Sequence, residues 1–245
     1  MIRRMATGHL FYLAAFPLLC GLSVALRAEV LAADAERSVV AFMGPLPGTT
    51  YVYRYFSNGA PSEGQEGLVN GISREMERGI RQQVVARLAK GPAGTPVEST
   101  TEQVLRVSDR SLDVINSEGR AVMLLREPLS VGNTWTRAIW AWRPTSPERS
   151  SDGAWIKFTS KDGTWTALSA TCRIDRTYST KLFDKDRTVV VVSCSVKTPE
   201  GIEKTSVEEW ASGLGMARAV ESAKDPSGRD LGVTEQRLVR VQRYK

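Results

Sequence analysis

Few side chains in this chain could do nucleophilic or acid–base chemistry. The 245 residues include one histidine, His9, and three cysteines, Cys20, Cys172 and Cys194. His9 and Cys20 lie within the first 35 residues, whose composition is that of a leader. Once this leader is removed the chain has no imidazole. Serine–histidine triads, cysteine–histidine pairs and zinc sites that use histidine are therefore excluded for the mature protein.

The carboxylates offer the remaining route to catalysis. Glu208 and Glu209 are adjacent, and adjacent residues of a strand point to opposite faces, so they cannot easily flank one bond. We expect them to lie on a solvated edge. A hydrolase that acts through Asp and Glu alone is the weakest of the functional alternatives.

Three aspartates offer a possible metal site. Asp175, Asp184 and Asp186 could in principle bind calcium, but the nearby Lys181, Lys185 and Arg187 oppose the accumulation of negative charge that such a site needs. We expect no metal site and no cofactor.

The tryptophans are the best candidates for binding. Five of the six lie between Trp135 and Trp165. Large aromatic rings with a polar edge can hold an acyl chain or the face of a sugar. The candidate ligand-binding residues are Trp140, Trp142, Trp155 and Trp165. The alternative is that these rings fill the core.

The N-terminal leader has the parts of a secretory signal peptide. Positive charge at Arg3 and Arg4 precedes the apolar stretch 10–22, and small residues then offer cleavage near residue 25 or 35. We expect a signal peptide over residues 1–35 and a single β-rich domain over residues 36–245. The exported protein would reside in the bacterial periplasm or cell envelope, without a transmembrane segment. An uncleaved anchor over residues 10–26 is the alternative.

The cysteines that remain after cleavage predict one disulfide. The run Thr188–Val192 is β-branched throughout, which favours a strand. If the chain reverses near Phe183, Cys172 and Cys194 come opposite each other on two antiparallel strands. An even number of cysteines is typical of an oxidising compartment. Two buried free thiols are the alternative.

Alternating polarity and turn residues predict β-strands along most of the chain. Thr50–Phe56 is a strand, and the following residues 57–67 are expected to be a loop. Strands are also predicted at Glu102–Val107, Ser111–Ile115 and Ala121–Leu125. Residues 72–90 fit either one helix or two strands that break near Gly79, and we favour the strands.

The charge of the chain excludes one class of partner. Its formal net charge of +6 comes from basic residues that are scattered among acidic ones. We find no basic stripe, and therefore expect no nucleic-acid binding. Loss of residues 1–35 would lower the net charge by only one.

Two segments in the second half of the chain resemble a group of exported bacterial proteins of unknown function. These are Pro128–Trp135, with the pattern PL-x-x-G-x-x-W, and Glu208–Met216, a tryptophan and glycine turn. Ser212 and Leu214 stand where the group usually has proline and valine, and Leu182–Asp186 lacks its usual Gly-x-Phe turn. The resemblance implies a curved antiparallel sheet similar to the half-barrels of lipoprotein carriers. It brings no catalytic residue.

These observations predict a mainly β fold, a single curved antiparallel sheet that forms an open half-barrel. We expect a non-enzymatic exported protein that binds an apolar ligand, such as a lipid, or another envelope protein. A structural or assembly component of the envelope is the alternative.

Overall fold

The computed structural model describes residues 38–71, 78–88, 97–108, 110–116, 119–144, 148–149, 156–157 and 163–243. The predicted signal peptide lies outside these residues and stays a prediction. Residues from Ser38 onward form one compact unit. In the part of the chain that is described, no helix is long and apolar enough to cross a membrane.

In the described part of the chain, fourteen strands follow one short 3-10 helix, Val39–Phe42. The strands are β1 (Thr49–Ser57), β2 (Ala60–Gly71), β3 (Gly79–Leu88), β4 (Val97–Ser108), β5 (Ser111–Asn116), β6 (Ala121–Arg126), β7 (Thr134–Pro144), β8 (Glu148–Arg149), β9 (Ile156–Lys157), β10 (Gly163–Leu182), β11 (Lys185–Lys197), β12 (Glu203–Ala211), β13 (Gly215–Lys224) and β14 (Asp230–Arg243).

Twelve of these strands form one antiparallel sheet in the order β6-β5-β4-β3-β2-β1-β14-β13-β12-β11-β10-β7, and β8 pairs with β9. The predicted mainly β fold with a single curved antiparallel sheet is confirmed. The two end strands, β6 and β7, are consecutive along the chain, so the sheet curves until its ends meet and is nearly closed.

The favoured interpretation of residues 72–90 is confirmed where the structure describes them, because Gly79–Leu88 is a strand paired with β2 and β4, and the helical alternative is wrong there. One sequence expectation needs correction. The loop expected over residues 57–67 is reduced to the turn Asn58-Gly59. Both turn residues have positive φ, and β2 starts directly after them. Its glycines and polar residues gave no strand pattern, so pairing with β1 and β3 determines its structure.

One apolar cluster defines the inner face of the sheet. Leu105, Leu112 and Leu125 come from β4–β6, and they share a cluster with Cys172, Cys194 and other residues of β10–β12. Since residues from both halves of the strand order pack together there, this face lies on the inside of the curve. Val39 and Phe42 of the 3-10 helix are fully buried in the same cluster.

A second cluster packs on the other side of β11. Val190 and Val192 belong to the first cluster, whereas Val189 and Val191 belong to the second cluster, together with Ala211 and Leu214. Alternate residues of a strand point to opposite faces, so β11 is buried on both sides. The β-branched run that predicts this strand is thus the most enclosed element of the sheet.

Candidate functional site

The predicted tryptophan site falls mostly outside the part of the chain whose side chains are described. Trp140 and Trp142 lie in β7 and Trp165 in β10, where Trp142 is the Cα partner of Trp165. Trp155 lies outside the described residues. Trp135 and Arg137, whose side chains are buried, occupy odd-numbered positions of β7. Trp140 and Trp142 occupy even-numbered positions of the same strand. The tryptophan site stays a prediction.

The predicted disulfide is present between Cys172 of β10 and Cys194 of β11. The two residues are direct Cα partners across the strands. Both side chains are buried, and Trp135 of β7 is the next partner of Cys172 in the sheet.

A row of partners crosses the inner face from this bridge into polar surroundings. Cys194 pairs with Ser206, which pairs with Glu221, and Glu221 pairs with Thr234. The residue beyond Thr234 is Ser57 of β1. Cross-strand partners share a face of the sheet, so the inner face changes from apolar to hydroxyl- and carboxylate-bearing along one continuous row.

The polar end of this row contains a hollow of about 350 Å³. Register places most of its lining on the inner face, and two of those side chains, Ala219 and Gln236, are partly buried. The hollow is lined by Tyr55, Phe56, Ser57, Ser62, Ala219, Glu221, Thr234, Glu235 and Gln236. Its volume is at the small end of the range for ligand sites. Sequence reasoning missed it, because its residues come from four strands and share no motif.

Glu235 borders the hollow, but its Cα partner is Val220, so its carboxylate lies on the opposite face of the sheet, where arginines neutralise it. Glu235 Oε1 accepts hydrogen bonds from Arg218 Nε at 2.8 Å and from Arg237 Nε at 2.9 Å. The hydrogen bond from Arg218 lowers the pKa of Glu235, with help from Arg237 and against the opposing effect of burial. Burial raises the pKa of Tyr55, so this phenol remains protonated and can donate a hydrogen bond.

A buried ion pair lies next to the hollow on the same face. Glu208 of β12 is the Cα partner of Ala219, and its carboxylate binds the guanidinium of Arg137 from β7. Arg137 Nη2 lies 3.0 Å from Glu208 Oε2, and Trp210 Nε1 donates to the same oxygen at 3.0 Å. Arg137 is 5% exposed and Glu208 is 8% exposed.

The expectation that Glu208 and Glu209 form a solvated edge is therefore wrong. Glu208 is enclosed with Arg137, and the partly buried Glu209 accepts a hydrogen bond from Arg218 Nη1 at 3.1 Å. Their opposite orientation follows from strand alternation, as predicted. The signal in the sequence was a spacing of two residues, because Glu208 and Trp210 must share a face. It did not identify Arg137 as the partner.

The aspartates considered for calcium do not form a ligand set. Asp175 accepts a hydrogen bond from Arg173 Nε at 2.8 Å. Asp184 lies in the turn between β10 and β11, and Asp186 follows in β11. Among the described residues, no group of three histidine, cysteine, aspartate or glutamate side chains could hold a metal ion.

No protein-family model and no curated protein matches this chain. Two solved bacterial structures show a similar fold. One, from Bacteroides fragilis, is described as an exported protein with a YmcC-like fold. It aligns over 83% of this chain and 100% of its own, at 12% identity and a TM-score of 0.46. The other, described as a lipoprotein from Parabacteroides distasonis, aligns over 82% of this chain and 98% of its own, also at 12% identity and 0.46. We take no residue role from them.

Proposed function

We propose that this chain is an exported, non-enzymatic binding protein of the cell envelope, and that it holds a small hydroxyl-rich ligand, such as a sugar, in the hollow on the inner face. The observation that carries this proposal is the lining of the hollow. It combines the ring of Tyr55 with the hydroxyl, amide and carboxylate groups of Ser57, Thr234, Gln236 and Glu221, which share its face of the sheet.

The same lining disfavours an acyl chain at this place. Ser57, Thr234, Gln236 and Glu221 would lose water to an apolar ligand and gain no hydrogen bond in return, which costs free energy for each group. A sugar would present hydroxyl groups to these side chains and a C–H face to an aromatic ring. The tryptophan site predicted from the sequence, with its apolar ligand, is a separate hypothesis.

The state of the carboxylates supports a binding role over a hydrolytic one. A glycosidase needs one carboxylic acid whose pKa is raised, so that it can protonate the leaving group. The pKa of Glu235 is lowered instead, and its carboxylate lies with Arg218 on the face opposite Ala219. Glu208 is occupied by Arg137 and Trp210.

Export rests on the predicted leader and agrees with the disulfide, which persists in oxidising compartments. N-terminal sequencing of protein recovered from the periplasm tests it. We expect a mature chain that begins near residue 26 or 36. A chain that keeps Met1 and remains in the cytoplasm would contradict export.

Ligand binding is tested with defined probes and two variants of β13. The probes are palmitate and a panel of mono- to trisaccharides from bacterial envelopes, measured by saturation-transfer NMR and calorimetry. Ala219→Phe fills the hollow, whereas Val220→Phe places the same ring on the opposite face of the same strand. We expect at least one saccharide to bind the wild type and Val220→Phe, and to bind Ala219→Phe at least about tenfold more weakly.

Three outcomes would overturn the ligand assignment. These are a wild type that binds no saccharide, a wild type that binds palmitate alone, and equal saccharide binding by Ala219→Phe. Circular dichroism of both variants shows whether the sheet is intact.

An assembly role in the envelope is the second candidate. Val207 and Val233 are 39% and 40% exposed, and Leu231 is 50% exposed. These residues lie on β12 and β14, which flank β13, and exposed apolar side chains that lie near one another are a feature of contact surfaces. Native mass spectrometry of the periplasmic protein separates the two roles, because assembly predicts multimers and ligand binding predicts a monomer with a bound small molecule.

A further inference from the structure

The two ends of the sheet meet without a main-chain ladder. Among the described residues, β6 pairs only with β5 and β7 pairs only with β10. Residues 127–133 connect the two strands directly along the chain. In the hydrogen-bonded order of the sheet, however, β6 and β7 are at opposite ends, with all its other strands between them. We call this junction between β6 and β7 the seam.

The side chain of Arg137 crosses the seam from β7 to β6. Arg137 of β7 donates from Nε to the carbonyl oxygen of Met123 at 2.9 Å and from Nη2 to that of Leu124 at 2.7 Å, and both acceptors belong to β6. Leu124 is the extra residue of a β-bulge against β5. A bulge interrupts regular pairing, and here two successive carbonyls of an end strand are left for one guanidinium.

The same guanidinium is anchored at its other side. Both of its terminal nitrogens bind the carboxylate of Glu208, and Trp210 Nε1 fixes that carboxylate from its own strand. Glu208 lies on β12, three strands from β7 in the sheet order. The contact therefore joins both end strands to β12.

We propose that Arg137 is the latch of this sheet, and that the sheet opens at the seam when the latch is released. A ladder between two strands distributes its hydrogen bonds over many residues, so no single side chain controls it. Asn133 in the connection donates to the carbonyl oxygen of Arg126 at the end of β6, but between β6 and β7 themselves the hydrogen bonds described above all depend on one guanidinium. Its release frees two carbonyls and separates a buried charge pair in one event.

Opening at the seam would give access to the inner face. Trp135 and Leu125 are buried beside it, 4% and 0% exposed. Glu208 is the partner of Ala219, so the latch and the hollow share one row of the sheet. The proposal stands on the hydrogen bonds of Arg137 and does not depend on what the hollow binds.

Amide hydrogen exchange of the folded protein tests the latch. In Arg137→Met the charge and all donors are lost while the apolar stem is kept. We expect the amides of β6 and of Thr134–Ile139 to exchange at least about tenfold faster than in the wild type, and those of Val189–Val192 to stay within about twofold. Local opening of one region has this signature.

The matched control is Arg218→Met. Arg218 also bridges two glutamates, Glu209 and Glu235, but it lies on β13 within the continuous part of the sheet. We expect no change in exchange at β6 and β7. An equal effect of the two substitutions at the seam would overturn the proposal, and so would an increase in Arg137→Met that is uniform over the whole sheet.

A second measurement applies if Arg137→Met does not fold. Exchange of the wild type in low, non-denaturing concentrations of urea gives an opening free energy for each strand. The latch requires that β6 and the first half of β7 open together and at lower free energy than β11. If they open only with β11, in global unfolding, the proposal is wrong.

Discussion

The buried charge pair of Arg137 and Glu208 is the feature at the residue scale with the largest expected effect on stability. Neither side chain has access to water that would solvate it alone. Two charges in such a place attract each other strongly, but each has lost its hydration, so the pair as a whole contributes less than its geometry suggests. Removing one partner is different, because the other charge is then left buried.

We expect Glu208→Gln to lower the free energy of unfolding by about 3 kcal/mol, because Arg137 keeps its charge and loses its counterion. Urea denaturation with the disulfide intact measures this. Glu203→Gln is the control, since Glu203 pairs with Lys197 where both side chains are more than half exposed. Its effect should stay within about 0.5 kcal/mol. Equal losses for the two substitutions would contradict a buried pair.

Glu127 gives a prediction on pH. Burial raises the pKa of this carboxyl, but hydrogen bonds from the Val39 N–H, Arg110 and Ser38, with the charge of Arg110, outweigh burial and hold the pKa below its ordinary value. A carboxyl with a lowered pKa in the folded state stabilises the fold above its unfolded pKa. That contribution is lost as the pH falls through the folded value.

The test compares urea denaturation of wild type and Glu127→Gln from neutral to acid pH. We expect the variant to be less stable than the wild type at neutral pH. The difference should shrink only at a pH below the ordinary range of a glutamate pKa, because the lowered pKa keeps the folded wild-type carboxyl charged until then. Glu102→Gln, an exposed glutamate on β4, should show no such narrowing. A gap that is constant with pH would show that the carboxylate charge is not responsible.

At the scale of elements, the hairpin of β10 and β11 shows how two irregularities combine. Its loop has two residues, Phe183 and Asp184, so its centre falls between them. A regular ladder from that centre would place Cys172 opposite Ser195. The bulge at Asp175 shifts the register by one residue and brings Cys172 opposite Cys194.

The hairpin turn itself uses an unfavourable residue. Phe183 and Asp184 have φ of 50° and 63°, which matches a two-residue turn that favours Asn and Gly. We expect Phe183→Asn to raise the free energy of unfolding by about 1 kcal/mol, because Asn tolerates left-handed backbone better. Phe183 is 40% exposed, so little packing is lost.

Chemical denaturation measures this change, with Phe183→Val as the paired variant. A β-branched residue is disfavoured at positive φ, and this variant should be less stable than the wild type. If Asn and Val have the same effect, backbone conformation does not limit the stability of the turn.

At the scale of the molecule, two kinds of link hold the sheet beyond its ladders. The disulfide joins β10 and β11, which are already neighbours, and therefore acts on the unfolded chain more than on the curvature of the sheet. Arg137 joins strands that no ladder connects, and therefore acts on closure. Loss of the disulfide and loss of the latch should have different signatures.

We expect the double substitution Cys172→Ala, Cys194→Ala to lower the free energy of unfolding by about 3 kcal/mol, the chain-entropy value for a loop of this length. The cysteines are 22 residues apart. Reductant should destabilise the wild type by a similar amount and leave the double variant unchanged. Faster exchange at β6 and β7 alone in the double variant would contradict the assignment of closure to Arg137.

Local sequence was sufficient for the class of fold and for much of its strand structure. The alternating residues of β1, β4, β5 and β6 and the β-branched run of β11 predicted these strands, because side chains in a strand alternate with period two. The cysteine pairing was also predicted correctly. The prediction placed the chain reversal at Phe183, whereas the turn is centred between Phe183 and Asp184. The bulge at Asp175 shifts the register by one residue, and Cys172 therefore still pairs with Cys194.

The burial of Glu208, the strand β2 and the seam were decided only by the tertiary structure. Arg137 and Glu208 are 71 residues apart, and nothing near either one indicates that they meet. β2 has no apolar alternation and is a strand because β1 and β3 pair with it on both sides. Periodicity describes neighbours along a chain. The curvature of a twelve-stranded sheet determines which distant residues share its inner face. In this chain, the curvature brings β6 and Glu208 within hydrogen-bonding distance of Arg137 on β7.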